Sequence, residues 1–162
     1  MLFRSSRLRK LETPAVEPTA ASGEPAPGTP AGTIGGAGPA HETATYDAAL
    51  ELFKATKYKE AAAAFAAFVQ QYPAGALAPN AQYWLGNAWY AQRNCTKAIE
   101  AQSQVISRYP ASDKAPDAML AIATCQQELG NRNGANRTME SLVEKYPAST
   151  AADKARERLK KK

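Results

Sequence analysis

The chain has 162 residues, 44% of them hydrophobic, and a formal net charge of +5, enough for one domain of ordinary size with a tail. It contains no run of roughly eighteen or more apolar residues, which excludes a membrane-spanning helix. The positive charge sits at the ends: residues 1–10 carry +4, residues 154–162 carry +5, and everything between carries −4. The central part therefore has no basic excess with which to neutralise nucleic-acid phosphates, and the ends read as solvated tails.

Residues 1–12, MLFRSSRLRKLE, are basic but have neither the apolar core nor the small-residue cleavage site of a secretory signal. Leu8 and Leu11, three apart among charges, fit the last turns of a coiled coil too short to be stable alone. Residues 13–41 form the next segment, and its stretch 13–40 holds six prolines and six glycines. A run of that composition cannot bury enough apolar surface to offset its ordering entropy, so it reads as a disordered linker.

From about Thr43 the periodicity becomes helical. Tyr46, Leu50 and Phe53 recur at helical spacing, a break falls near Thr56 to Tyr58, and Phe65, Phe68, Val69 and Tyr72 resume the pattern. A second unit runs from Ala78 to Arg93, breaks at Asn94, and continues from Thr96 to Tyr109. A third runs from Lys114 to Leu129, breaks at Gly130 to Gly134, and continues to Tyr146; residues 151–160 make a final short helix. The units end alike: Tyr72-Pro73, Tyr109-Pro110 and Tyr146-Pro147 are each 37 residues apart. Proline ends a helix because its neighbour is forced out of the helical region, and Ser112 or Asp113, and Ser149 or Thr150, can cap the helices that follow. A helix pair of this size cannot bury its apolar face alone, so neighbouring pairs must stack. The small residues Gly86, Ala61, Ala98 and Ala135 stand where two helices would approach closely. The expected fold is all-α, a solenoid of three helix-pair repeats over residues 42–162 with a basic C-terminal capping helix.

Little here suits catalysis. The single histidine, His41, lies at the end of the linker, so a Ser–His–Asp or Cys–His arrangement on the helical part is not available. Cys95 and Cys125 lack the spacing and histidine company of a zinc site. They can be small buried residues, a disulfide closing a loop of about 30 residues, or reactive thiols. No catalytic, cofactor-binding or metal-binding residue is expected.

Leu85-Gly86, Trp89, Ala98 and Pro110 in the second unit, and Ala61, Phe65 and Pro73 in the first, resemble the tetratricopeptide repeat. Gln102 stands where that pattern expects an aromatic. The segments YPAGALAPNAQYWLGNAWY, YPASDKAPDAMLAIATC and YPASTAADKARERL resemble more narrowly the C-terminal repeat domain of the CpoB (YbgF) family. That resemblance implies a tetratricopeptide-like solenoid and a non-enzymatic periplasmic adaptor of the Tol–Pal system. It implies TolA and a bifunctional penicillin-binding protein as partners, no cofactor, and a role coordinating outer-membrane constriction with septal peptidoglycan synthesis. It also implies trimerisation through a coiled coil of which this chain holds only a remnant, leaving the chain itself monomeric. An outer-membrane-protein assembly platform of the tetratricopeptide lipoprotein type is the alternative. In such a stack the first helix of each pair lines the groove. The implied groove residues are Tyr46, Leu50, Phe53, Asn80, Tyr83, Trp84, Asn87, Tyr90, Thr124 and Gln127, with Leu120 beside them. None of the second- and third-unit positions is Lys or Arg, which argues against a carboxylate clamp.

Overall fold

The computed structural model describes residues 39–161, so the expectations for residues 1–12 and for 13–38 lie outside the described residues. The chain divides into two units after His41, and the helical stack is the second. Seven helices and no strand occur among the described residues: α1 (Pro39–Lys54), α2 (Tyr58–Gln71), α3 (Ala78–Ala91), α4 (Cys95–Arg108), α5 (Lys114–Glu128), α6 (Arg132–Lys145) and α7 (Thr150–Lys160). These are three helix pairs and a capping helix. The first helix opens at Pro39, earlier than the apolar periodicity indicates, because proline with its fixed φ is well suited to a first helical position.

The same backbone punctuation recurs in each pair. Tyr72, Tyr109 and Tyr146 are the C-caps of α2, α4 and α6, with φ of −127°, −131° and −131°, and each N–H still bonds the carbonyl four residues back. The turns inside the pairs place Thr56, Arg93 and Gly130 at φ of 61°, 65° and 87°. The next residues, Lys57, Asn94 and Asn131, are the N-caps of the second helices. Asn94 accepts from the Lys97 N–H and Asn131 from the Gly134 N–H, whereas Lys57 supplies no side-chain cap. Ser149 caps α7 through the Ala152 N–H, as its position suggests.

Two layers result. The odd-numbered helices pack side by side, α3 on α5 and α5 on α7, and the even-numbered helices pack on their neighbours in sequence, α2 meeting α1 through Tyr46, Phe65 and Phe68. Between the layers lies a core that changes composition along the stack. At the first pair Phe65 and Phe68 are fully buried, with the Tyr46 ring against both at 5.9 Å. At the third pair Met139 and Leu142 are buried against Ala151, Ala152 and Ala155 of the capping helix. Burying each of these large side chains contributes about 1.5–3 kcal/mol. The expected close-approach positions, Ala61, Ala98 and Ala135, are 0–2% exposed, and Gly86 is buried. A Cβ on Gly86 would stand 2.3 Å from Gln102 Nε2, so the glycine makes room for the glutamine that replaces the expected aromatic.

Candidate functional site

The ten residues expected to line a groove all lie on α1, α3 and α5, in the odd-numbered layer. Their burial separates them. Tyr46 is only 9% exposed and its ring belongs to the core of the first pair, which corrects its assignment to the groove. The helical period that aligns it with Leu50 and Phe53 also turns it toward α2, where two phenylalanines meet it. Burial pushes its pKa up, and the neighbouring Trp84 and Asn80 side chains of α3 work against that rise. Leu50, Phe53 and Trp84 are half-buried on that same core. The Phe53 ring meets Trp84 and Tyr58 edge-on, each at 5.0 Å. Leu120 similarly packs on the core of the third pair.

Tyr83, Asn87 and Tyr90 form a more open row along α3. Burial pushes the Tyr83 pKa up, while a hydrogen bond from Asn87 works against it. The Lys114 ammonium sits 5.2 Å from the Tyr83 ring centroid, and Asp117 lies nearby with its own pKa raised by burial. The Asn87 amide oxygen also accepts from Gln102 Nε2 at 3.4 Å, so a buried side chain of α4 backs the row. Tyr90 is 41% exposed and bonds Glu128 at the end of α5. Between Tyr90, Asn87, Gln102, Ala121 and Thr124 is a hollow of ≈ 150 Å³.

On α5, Thr124 donates to the Leu120 carbonyl at 3.0 Å and accepts from Arg158 Nη1 at 2.8 Å. Gln127 is exposed and lines a second hollow of ≈ 530 Å³ with Arg132, Asn136, Arg158 and Lys161. The face thus gains cations from residues outside the expected positions: Lys114 at the start of α5, and Arg158 and Lys161 at the end of the capping helix. The 37-residue period holds the signal for the last two, since Arg158 and Lys161 are one period beyond Ala121 and Thr124.

Cys95 and Cys125 are both free thiols, buried together with Ala98 against Trp89 and Ile99. Burial, and then contact with Cys95, pushes the Cys125 thiol up, which disfavours a thiolate nucleophile there. No cluster of metal-ligating side chains occurs among the described residues, and no described helix is long and apolar enough to cross a membrane.

Solved structures with the same arrangement include PcrH from Pseudomonas aeruginosa (TM-score 0.66, 17% identity, 77% of this chain and 93% of that one). Another is the first tetratricopeptide domain of Spaghetti bound to an HSP90 peptide (TM-score 0.59, 17% identity, 74% and 88%). At such identities they show the fold alone, a tetratricopeptide-like solenoid. In sequence, the chain is 47% identical over 57 residues to the cell division coordinator CpoB of Pseudomonas putida, a match covering 35% of this chain and 21% of that protein. The matching part spans about a fifth of the length of the curated relatives. The repeats as a whole, residues 39–161, match the model of the YfiO family, described as outer membrane lipoprotein, and the chain belongs to that family.

Proposed function

We propose that this chain is a non-enzymatic periplasmic adaptor of the Tol–Pal system, which binds TolA through the odd-numbered face and coordinates outer-membrane constriction with septal peptidoglycan synthesis. A bifunctional penicillin-binding protein is its second partner. The observation that carries the groove is the row Tyr83, Asn87 and Tyr90 on α3: large amphipathic rings and an amide, held from behind by Gln102 and open in front. Aromatic side chains offer much contact area with few rotors to freeze, as a peptide-binding surface requires. The resemblance to the cell division coordinator supports the choice of partners, and the peptide held by a domain of the same fold supports the mode of binding.

Calorimetric titration with the purified periplasmic domains of TolA tests this. Binding in the micromolar range or tighter, weakened at least tenfold in Tyr83→Ala and Tyr90→Ala chains of unchanged circular dichroism, is the expected result. A well-folded wild-type chain that leaves TolA unbound would overturn the assignment of this partner to the repeats.

The family match over residues 39–161 favours a second reading, an assembly platform for outer-membrane proteins. In that case the Tyr83→Ala and Tyr90→Ala changes lower outer-membrane protein levels in cells and leave TolA binding unchanged.

A further inference from the structure

The 37-residue period brings the same three places to each seam of the stack and fills them with different chemistry. Phe53, Tyr90 and Gln127 are equivalent at the ends of the first helices; Trp84, Ala121 and Arg158 face them from the next first helix; Tyr58, Cys95 and Arg132 open the second helices. At the first seam three rings occupy the space. At the second a neutral hollow of ≈ 150 Å³ remains, and at the third a hollow of ≈ 530 Å³ has three cations on its walls. The odd-numbered face is therefore graded from aromatic through neutral to cationic.

These cations have no counter-charge within the described residues. Asp153 is paired with Arg156 and Glu157 with Lys160, Glu128 bonds Tyr90, and none of Arg132, Arg158 and Lys161 forms an ion pair with another described residue. Arg158 uses Nη1 to hold Thr124, which fixes the guanidinium at the seam with most of its five donors unspent. Arg132 is the first residue of α6, at the positive end of the helix dipole, and no acidic residue lies in that first turn. A cation there opposes local helix stability, a departure from local consistency of the kind found at functional sites. An anion in the hollow would be attracted by all three side chains and by the helix end together.

We propose that the hollow between α5, α6 and α7 binds the carboxylate side chains of an acidic segment in a partner protein. The segment lies along the odd-numbered face with its apolar residues toward Tyr83 and Trp84. This deepens the groove reading above and rests on it. A nucleic acid fits poorly, because residues 11–153 carry a net −4 and would repel a continuous polyanion outside this one hollow. A peptide carrying two or three carboxylates matches a cationic patch of this extent at the end of an amphipathic face.

Selection of a randomised twelve-residue peptide library on the folded chain tests the proposal. It is run in parallel on Arg132→Gln/Arg158→Gln/Lys161→Gln and on Lys145→Gln/Lys154→Gln, which removes two exposed cations outside the hollow. Expected are peptides enriched in Asp and Glu for the wild type and for the control, with that enrichment lost in the triple variant. A synthesised hit should bind the triple variant at least tenfold more weakly and lose affinity as salt rises. If the triple variant loses its helical circular dichroism, Arg132→Gln/Lys161→Gln, both exposed, replaces it. Peptides selected without acidic enrichment, or with enrichment that survives removal of the three cations, would overturn the carboxylate site and leave the groove standing. No peptide selected by the wild type would overturn both.

Discussion

The phenol of Tyr109 donates a 2.7 Å hydrogen bond to the Pro73 carbonyl, and Tyr146 repeats it on Pro110 at 2.8 Å. The Tyr-Pro pair therefore has two roles. Within its own unit it ends the second helix, and between units the tyrosine of one ties down the proline turn of the one before. At Pro147 the acceptor is met instead by Arg156 of the capping helix, at 2.9 Å. Each tether crosses one seam of the stack and fixes the rise from unit to unit.

Tyr109→Phe and Tyr146→Phe keep the ring and remove the tether. Each should lower unfolding stability by about 0.5–1.5 kcal/mol, toward the lower end because the bonds are solvent-exposed. They share no partner, so the losses should add in the double variant. Urea denaturation followed by circular dichroism measures this; a double variant no weaker than either single one would mean the seams are not fixed independently.

The turns inside the pairs make a second prediction. Thr56, Arg93 and Gly130 occupy the left-handed region, and only the last is a residue for which this is free of cost. The first turn is doubly unfavourable, having a β-branched residue at φ 61° followed by Lys57, which supplies no cap. Thr56→Gly/Lys57→Asn copies the third turn and should stabilise the chain by about 1–2 kcal/mol. The reverse change, Gly130→Ala, meets no atom within 4 Å and should still destabilise by about 1 kcal/mol through its backbone alone. Thermal melts of both variants decide it.

The order and most of the ends of the helices were legible in the sequence because proline and the Tyr-Pro period act locally; Asn94 and Asn131 fell within the expected breaks, and their capping role emerged from the structure. The composition of the odd-numbered face was legible only in part. Tyr46, Leu50 and Phe53 share a helical stripe, but a stripe does not reveal which of its members faces the partner helix, and Tyr46 proves to be core. Arg158 and Lys161 looked like part of a solvated basic tail when counted as charge. Their place on the odd-numbered face appears only when the 37-residue register is carried into the last helix, past the point where the repeat motif itself has faded. Gln102 was visible as a mismatch to the aromatic pattern, but its contact with Gly86 is a long-range fact that spacing alone could not supply.

Gly75 and Glu42 form a cap divided between two helices. The Leu77 N–H donates to Glu42 Oε2 at 2.9 Å, while at the equivalent place one unit on the Lys114 N–H donates to Ser112 Oγ at 3.0 Å. Gly75 stands where Ser112 stands, and a Cβ there would come 2.2 Å from the Glu42 carboxylate. Glu42→Ala should therefore cost about 1 kcal/mol, and Gly75→Ser alone should also destabilise. Glu42→Ala/Gly75→Ser should recover most of the loss by restoring the local serine cap. Purely additive losses in the double-mutant cycle would sink the exchange.

Gln102 is 1% exposed, and its Nε2 bonds the Tyr83 carbonyl at 3.1 Å while its Oε1 has no partner. One unit on, the same place holds the fully buried Met139. An unsatisfied buried oxygen costs about 1–3 kcal/mol, so Gln102→Met should be neutral or stabilising by up to about 1 kcal/mol. It also removes the donor that holds Asn87 from behind. A variant that melts no lower than wild type yet binds partner peptides more weakly would separate the positioning role of Gln102 from stability. A clear loss of stability would show that its hydrogen bonds outweigh the orphaned oxygen.

Tyr90 gives the fold a dependence on alkaline pH. Its hydrogen bond to Glu128, aided by burial and the carboxylate's charge, pushes the phenol pKa up to about 12, against an ordinary value near 10.0. The folded chain thus keeps this proton where the unfolded chain gives it up. The stability linked to Tyr90 is complete below about pH 10 and is lost as pH rises toward 12. Tyr90→Phe removes the titration, so its stability should fall less steeply than that of wild type across this window. Glu128→Gln removes the carboxylate and should bring the Tyr90 phenol back toward 10, readable as a shift in tyrosinate absorbance relative to wild type. Because Tyr90 is 41% exposed, solvent screens the interaction and the difference between the slopes should be small. Identical stability-versus-pH curves for wild type and Tyr90→Phe, together with an unmoved absorbance titration in Glu128→Gln, would mean that the pair does not form in solution. Tyr90 would then be wholly free to meet a partner.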